Sequence, residues 1–531
     1  MNVREYARIA TRILNLIFWM IIGYLAGDLG FGFYFISFMV FYLAASLLTG
    51  GIKIAVAKMV EVRRQKGLYH NCKLVFRYGL LYCLVSGLLV CTGLWLFSGT
   101  ILNILIGYRL PESVLSIFGI YFFVNSIKSC IMGCFQGKGD VYVCIVGEII
   151  GCIVMVALAP VFITRMYLYG MKVATLLKQP MYANINGVIG AILAQCIAGT
   201  VCILAVLIGD RIAGTVGRNM YDSVKGLDNI RSIYLNFFKI NGMYIIDKIF
   251  PLLSIAGVTF IYIRNAYSMS FEEREAFIRL GVWGGKYLIV MAFLMIFFIE
   301  YVDRECKSIR IDISRDELKN VYTRTVYLIK NSFFILVPVA LFVIIMAKPI
   351  VTIFFDGRMS LGITLLRAGG IIFLFFGLTH MCKGILNAHK MTLYSVAGSV
   401  LGLAVTIAFA FATKGTEADP LSLIYALLAG YLVQAVAMLA VVYLHSKPDI
   451  IDIGYKLAKI FIGSALFSGV LAVMDNFLIM NPIFLIITIA VSYGVYYVTI
   501  AVLKGLTKRD INSLKGTIAY YPAYFIGSFF V

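Results

Sequence analysis

The chain has 531 residues, of which 61% are hydrophobic and only 14% charged, and its mean hydropathy is +0.94. That composition excludes a water-soluble core of this size and is that of a membrane protein. The formal charge of +20 raises the question of nucleic-acid binding, which the placement of the bases answers below.

At the N-terminus, Arg4, Arg8 and Arg12 lead into an apolar run that continues to Ala26, with no small-residue cleavage pattern after it. This reads as a retained first span rather than a signal peptide. Further stretches long enough to cross a bilayer follow at intervals. The spans lie near 9–27, 33–53, 75–97, 114–134, 141–163, 187–209, 240–263, 280–302, 329–347, 364–386, 391–412, 421–444, 457–474 and 482–503. The expected fold is an all-α polytopic membrane protein with about 14 transmembrane helices.

Lys and Arg are more than twice as numerous in the connections on the N-terminal side as in those on the opposite side. That bias places both termini in the cytoplasm of a cell (cytoplasmic) membrane protein. The segments Arg63 to Lys73 and Asp303 to Lys330 carry much of the excess and read as solvated cytoplasmic faces. The connection 164–186 is an exception: it is expected outside, yet it holds Arg165, Lys172 and Lys178. The basic charge is therefore a topology signal, and no nucleic-acid partner is implied. Ten of the eleven cysteines lie in spans or at their cytoplasmic ends, and Cys306 lies in a cytoplasmic connection, so reduced, packing cysteines are expected. No CxxC or histidine cluster suggests a metal, and no cofactor is expected.

An internal repeat organises the spans. Gly133, Gly147 and Gly151 match Gly384, Gly398 and Gly402 at a constant offset of 251, and Gln136 pairs with Asn387 in the turn between. Upstream, ILNILIG (101–107) resembles IVTIFFDG (350–357). The copies are six spans apart, an even number, so they point the same way through the membrane. That makes a parallel repeat around an axis along the membrane normal. Small residues also recur in membrane helices simply because they allow close packing, but three in register with matching flanks go beyond that. The expected organisation is two six-helix lobes in parallel repeat around a central cavity. An N-terminal lobe (1–209) is followed by an interlobe linker (210–239), a C-terminal lobe (240–444), and two extra helices with a tail (445–531).

Charges inside spans carry the functional signal, because each costs about 2.5–3.5 kcal/mol at a helix centre on insertion scales. The bases are Arg12, Lys53, Arg77, Lys128, Lys248, Lys286, Arg367 and Lys383, against the acids Glu148, Asp247 and Glu300. Arg12 shares a face with Asn15 and Trp19, which suggests a lumen-facing stripe. Lys128 is deep, with Asn125 one turn before it. Glu148 is a candidate to neutralise Lys128 or Arg12. Lys53, Arg77 and Lys383 lie near span ends, where snorkelling to the headgroups is the plainer reading of each alone, and Arg367 and Lys286 near the external ends read the same way. Asp247 and Lys248 are adjacent, so they point about 100° apart. Glu300 reads as interfacial. Facing one cleft, Arg12, Lys53, Arg77, Lys128, Lys248 and Lys383 would form a cationic vestibule for a phosphate or pyrophosphate.

At these residues the chain resembles a known family. The runs TRILN (11–15), LAGDLGFGFY (25–34), TGGIKIAVAK (49–58) and FQG (135–137) are similar to the opening half of the multidrug/oligosaccharidyl-lipid/polysaccharide exporters. PIVTIFFDG (349–357), LLR (365–367), GILNAHK (384–390) and LTKRD (506–510) are similar to their second half. The likeness is nearest to the stage V sporulation protein B-like branch and the MurJ-like lipid II flippases. It implies fourteen helices in two lobes, a V-shaped cationic cavity, and export of undecaprenyl-pyrophosphate-linked sugars by alternating access. Arg12 matches the first arginine of the family's opening helix. The second, about two turns later, is replaced here by Phe18 and Trp19, and Lys53 stands where this branch often has proline. The sodium site of some members uses acids on the seventh and eleventh helices. Asp247 is available on the seventh, but 391–412 contains no acid, which argues against sodium coupling.

The expected function is a flippase that carries a lipid-linked oligosaccharide or peptidoglycan precursor to the outer leaflet. Its headgroup would contact Arg12, Asn15, Lys53, Asn125, Lys128, Glu148, Asp247, Lys248, Arg367 and Lys383. The expected partners are that polyprenyl-pyrophosphate substrate, membrane lipids, and polysaccharide polymerases or cell-wall synthesis enzymes. The alternative is a cation-coupled multidrug exporter, which would favour intramembrane carboxylates and is disfavoured by the excess of bases. An integral-membrane enzyme would need acids or histidines at the surface. The first external connection offers only Asp28, and His70, His380, His389 and His445 all fall on the cytoplasmic side. The cluster Glu272, Glu273, Arg274 and Glu275 reads as the solvated face of a short amphipathic helix, so no enzyme is expected.

Overall fold

The computed structural model describes residues 3–108, 111–213, 229–357, 359–413, 419–446, 450–477 and 481–505, together with 511, 514 and 520. Among them there is no strand. Among the described residues thirteen helices are long and apolar enough to cross a membrane, and the first of these, Arg4–Gln65, is a run of 62 residues. At 1.5 Å per residue that run would measure roughly 90 Å, about three hydrocarbon thicknesses. It does not run straight. Within α1 (Val3–Leu48), Gly27 has φ 70° and ψ 176°, a conformation that favours a residue without a Cβ. The rings of Trp19 and Phe38 meet at 5.1 Å, although an unbroken helix would hold them roughly 28 Å apart. The chain therefore folds back at Gly27, and thirteen helices make the fourteen crossings read from the sequence.

The chain divides into two compact units, residues 2–285 and 286–531. In the first, α1 is followed after a break at Thr49–Gly51 by α2 (Ile52–Gln65), then α3 (Tyr69–Ile106), α4 (Glu112–Lys138), α5 (Val141–Leu177), α6 (Met181–Ala213), α7 (Ile230–Ser268) and α8 (Glu273–Val282). Glycines let these helices approach closely. A Cβ on Gly32 would meet the Phe277 carbonyl, and one on Gly281 would meet that of Asp28, so α1 and α8 touch backbone to backbone. Of the expected linker 210–239, α6 takes the first residues and α7 starts at Ile230, while 214–228 lie outside the described residues.

The second unit opens on the π-turn Trp283–Tyr287, which straddles the division, and continues with α9 (Leu288–Ser314), α10 (Leu318–Ile345), α11 (Ala347–Phe354), α12 (Met359–Ala388), α13 (Thr392–Ala412), α14 (Leu421–Ser446), α15 (Ile450–Phe477) and α16 (Pro482–Val502). The appended pair docks on α10, where the Tyr496 hydroxyl donates to the Phe334 carbonyl at 2.9 Å and Phe467 packs on Tyr496.

The glycine repeat is a packing repeat. Gly147 and Gly151 of α5 lie against Val206 and Cys202 of α6, and Gly398 and Gly402 of α13 lie against Met438 and Gln434 of α14. The partners are 232 residues apart in both pairs, 19 fewer than the glycines themselves. The missing length falls at the hairpin tips: α5 has 37 residues and α13 only 21. The connection 164–186 is thus mostly helix, carried to Leu177 by α5 and from Met181 by α6, rather than an open loop.

Two other expectations change. The segment 303–330 is a helical hairpin, with α9 running to Ser314 and α10 starting at Leu318. It is only partly solvated, since Asp312 and Lys330 are buried. Glu300, expected at the interface, is also buried, at 3% exposure. Hydropathy marks where the apolar stretch ends, whereas these helices continue past that point and keep an inner face.

Candidate functional site

The densest arrangement of the candidate residues lies in the first unit, where α1, α2, α4 and α5 converge. On α1, Asn15 is exposed; its Nδ2 donates to the Thr11 carbonyl at 2.7 Å and reaches Cys152 Sγ of α5 at 3.9 Å. Further toward the N-terminus, the Arg4 guanidinium lies over the Tyr142 ring of α5, 5.9 Å from its centroid. The two contacts have nearly the same sequence offset, so the first leg of α1 runs parallel to α5. Arg12 precedes Asn15 by three residues and Glu148 precedes Cys152 by four, which puts the half-buried Arg12 within about 2 Å of the level of Glu148 along the helices.

Glu148 is already engaged. Lys53, in the first turn of α2, places Nζ 3.1 Å from Glu148 Oε1 and 3.4 Å from Oε2. The two side chains are 35% and 39% exposed. Lys53 sits there because the chain breaks at Thr49–Gly51 and restarts as α2, and because Gly133 of α4 packs directly on the Lys53 backbone. A lysine in a first turn opposes the helix dipole, and a facing carboxylate offsets that.

Lys128 of α4 completes the group. It lies within electrostatic reach of Tyr121, Cys202, Glu148 and Cys152. Two lysines thus stand near one carboxylate, two formal positive charges against one negative. Asn125, one turn before Lys128, is half-buried, and its carbonyl accepts from Ser129 Oγ at 2.8 Å.

The remaining candidates lie elsewhere. Lys248 is exposed on α7, within electrostatic reach of Tyr42, and the side chain of its neighbour Asp247 lies outside the described residues. Arg367 and Lys383 belong to the second unit, both on α12, the first exposed and the second half-buried. Sixteen residues separate them, roughly 24 Å of helix, so a single headgroup does not touch both.

Sequence reasoning offered Glu148 to neutralise Lys128 or Arg12; it lies within electrostatic reach of Lys128, and it also hydrogen-bonds Lys53, which sequence reasoning did not pair with it. It also passed over Tyr121 and Cys152 beside Lys128. Lys286 is not a snorkelling residue: it is 2% exposed, in the π-turn, with its aliphatic stem against Gly362. The glycine pair Gly284–Gly285 just before it was the available signal, because π-turns gather where helices are distorted.

No family model matches the chain. Among characterised proteins, stage V sporulation protein B of Bacillus subtilis (strain 168) is 25% identical over 189 residues, 35% of this chain and 36% of that protein, so the match spans about a third of the relative's length. Among solved structures, the lipid II flippase MurJ in its inward closed conformation matches with a TM-score of 0.66 and 15% identity, over 94% of this chain and 98% of that one. A multidrug resistance MATE family transporter in its inward-facing conformation also matches at 0.66, with 13% identity, over 83% and 98%. A transporter from Pyrococcus furiosus, described as having a binding pocket of reverse polarity, matches at 0.58 with 15% identity, over 83% and 94%. The chain is a multi-pass membrane protein with the fold of the multidrug/oligosaccharidyl-lipid/polysaccharide transporters, and its sequence resembles the stage V sporulation protein B branch of that superfamily.

Proposed function

We propose that the protein is a flippase moving a lipid-linked saccharide of the undecaprenyl-pyrophosphate class from the cytoplasmic to the outer leaflet by alternating access. The observation that carries this reading is the trio Lys53, Glu148 and Lys128, whose net positive charge suits an acidic headgroup. Arg12, Asn15 and Asn125 extend the same surface, and Glu148 holds Lys53 in position between cargoes. Asp247, Lys248, Arg367 and Lys383 are further candidates for headgroup contact along the transport path. The lobes that alternate are 1–209 and 240–444, joined through 210–239, with 445–531 appended. The base-rich face is cytoplasmic, so both termini lie there. The protein acts as a transporter and not as an enzyme, and polysaccharide polymerases or cell-wall synthesis enzymes receive its product.

Two facts support this assignment over a drug exporter. MurJ covers 94% of the chain and the MATE transporter 83%, a difference of about the combined length of α15 and α16. A cation exporter needs an excess of carboxylate for its cargo, and the trio sets two lysines against one carboxylate. The test is transfer of a fluorescent undecaprenyl-pyrophosphate saccharide across liposomes holding the purified protein. Transfer is expected. Ethidium efflux without any movement of lipid-linked saccharide would establish the multidrug reading instead.

A further inference from the structure

The α9–α10 hairpin borders an open cavity of about 280 Å³ that the transport reading leaves unused. Its walls are Tyr301 and Glu305, one turn apart on α9, and Asn320, Arg324 and Tyr327, which share one face of α10 with Leu328 at its inner end. Small-molecule pockets usually measure roughly 300–1,000 Å³, so this one suits a headgroup-sized occupant. It also lies where headgroups lie. The apolar spans end near 302 and begin again near 329, so Tyr301 and Leu328 mark the hydrocarbon edge, while Glu305 and Asn320 stand beyond it.

The charges in the wall are of both signs and close together. Arg324 Nε donates to Asp312 Oδ2 at 2.6 Å, and its Nη1 is 3.7 Å from Glu305 Oε2. Glu305 is only 12% exposed and also faces Arg304 Nε at 3.3 Å, whereas Arg324 is 43% exposed and keeps donors toward the opening. Of these four charged groups only Arg324 and Glu305 line the cavity, so a simple anion would meet the Glu305 carboxylate and a simple cation the Arg324 guanidinium. The complementary ligand carries an ammonium and a phosphate a short distance apart.

We propose that this cavity binds the headgroup of an ethanolamine phospholipid, its phosphate on Arg324 and Asn320 and its ammonium on Glu305 and the Tyr327 hydroxyl. A choline headgroup fits less well. It has no N–H to give Glu305 and would depend on an aromatic cage, yet the Arg304 guanidinium already lies over the Tyr301 ring, 5.7 Å from its centroid. On the topology proposed above, the lipid belongs to the inner leaflet.

The test uses the full-length protein, purified in detergent and offered equal amounts of dioleoyl phosphatidylethanolamine, phosphatidylcholine and phosphatidylglycerol, with retained lipid read by native mass spectrometry. Ethanolamine lipid should be retained about tenfold over the other two, the effect of one or two charge-assisted hydrogen bonds. Glu305→Gln, which keeps the side-chain size, should remove that preference without lowering retention of the glycerol lipid. Because Arg324 also holds Asp312, its loss could loosen the hairpin, so Tyr327→Phe serves as the second variant and should weaken ethanolamine retention at an unchanged melting temperature. Soluble glycerophosphoethanolamine should compete in the wild type. Equal retention of all three lipids, an ethanolamine preference that survives Glu305→Gln, or a failure of the soluble headgroup to compete would each overturn the proposal.

Discussion

Lys53 and Glu148, 95 residues apart in sequence, meet at 3.1 Å as a partly exposed ion pair between α2 and α5. Such a pair holds a lysine in place without neutralising it permanently. Exposed pairs contribute up to about 1 kcal/mol, so Lys53→Ala should change thermal stability by no more than that. Transport of the lipid-linked saccharide should nevertheless fall about tenfold or more, through loss of one charge-assisted contact to the headgroup. Liposome flux and melting in detergent give the two numbers. A variant that melts normally and transports normally removes Lys53 from the site.

Arg12→Ala and Lys128→Ala test the same surface from α1 and α4. Both variants should insert and fold, because the affected side chains are only partly buried, and both should lose saccharide transfer by about an order of magnitude. Membrane abundance by immunoblot, set against flux in the same vesicles, separates the two effects. Wild-type flux in both would leave the proposed headgroup contacts without support.

Gly281→Ala tests the close approach of α8 to α1. The new methyl would press on the Asp28 backbone, which cannot move aside as a flexible side chain can. Overpacking of this kind costs roughly 1–3 kcal/mol. A lower melting temperature is the expected result. Gly454, where a Cβ meets nothing within 4 Å, is the control position and should tolerate alanine.

His389, in the turn after α12, gives a pH signature. Its ring lies 4.9 Å from that of His445, and burial, with a smaller contribution from His445, lowers its pKa below the ordinary 6.5. The unfolded chain therefore takes up a proton near pH 6.5 that the fold resists. Stability from this site is complete above that pH and declines as pH falls below it. Melting curves between pH 8 and pH 5 should show the decline, and His389→Gln should flatten it. A profile identical in wild type and variant would count against the assignment.

The parts legible in the sequence were those that leave a periodic or length-based trace. Fourteen apolar stretches gave fourteen crossings, and glycines spaced for helix contact revealed the repeat because only a missing Cβ allows Gly147 to rest on α6. What stayed hidden needed neighbours rather than faces. Periodicity places Lys53 on a helix, but nothing local names Glu148 as the group opposite. Lys286 and Glu300 were assigned to the headgroup layer by distance from a span end, and Lys330 to a solvated face, whereas all three are buried. The arginines of the α9–α10 hairpin looked like plain solvated charge until the fold bent Arg324 back onto Asp312.

The single-residue reversal at Gly27 bears on how the molecule is made. With almost no chain between them, the first two crossings have no loop to thread through the bilayer separately. A ribosome-bound nascent chain would have to deliver them as one helical hairpin, and a bulky side chain at position 27 would be felt during biogenesis, before any cargo is met.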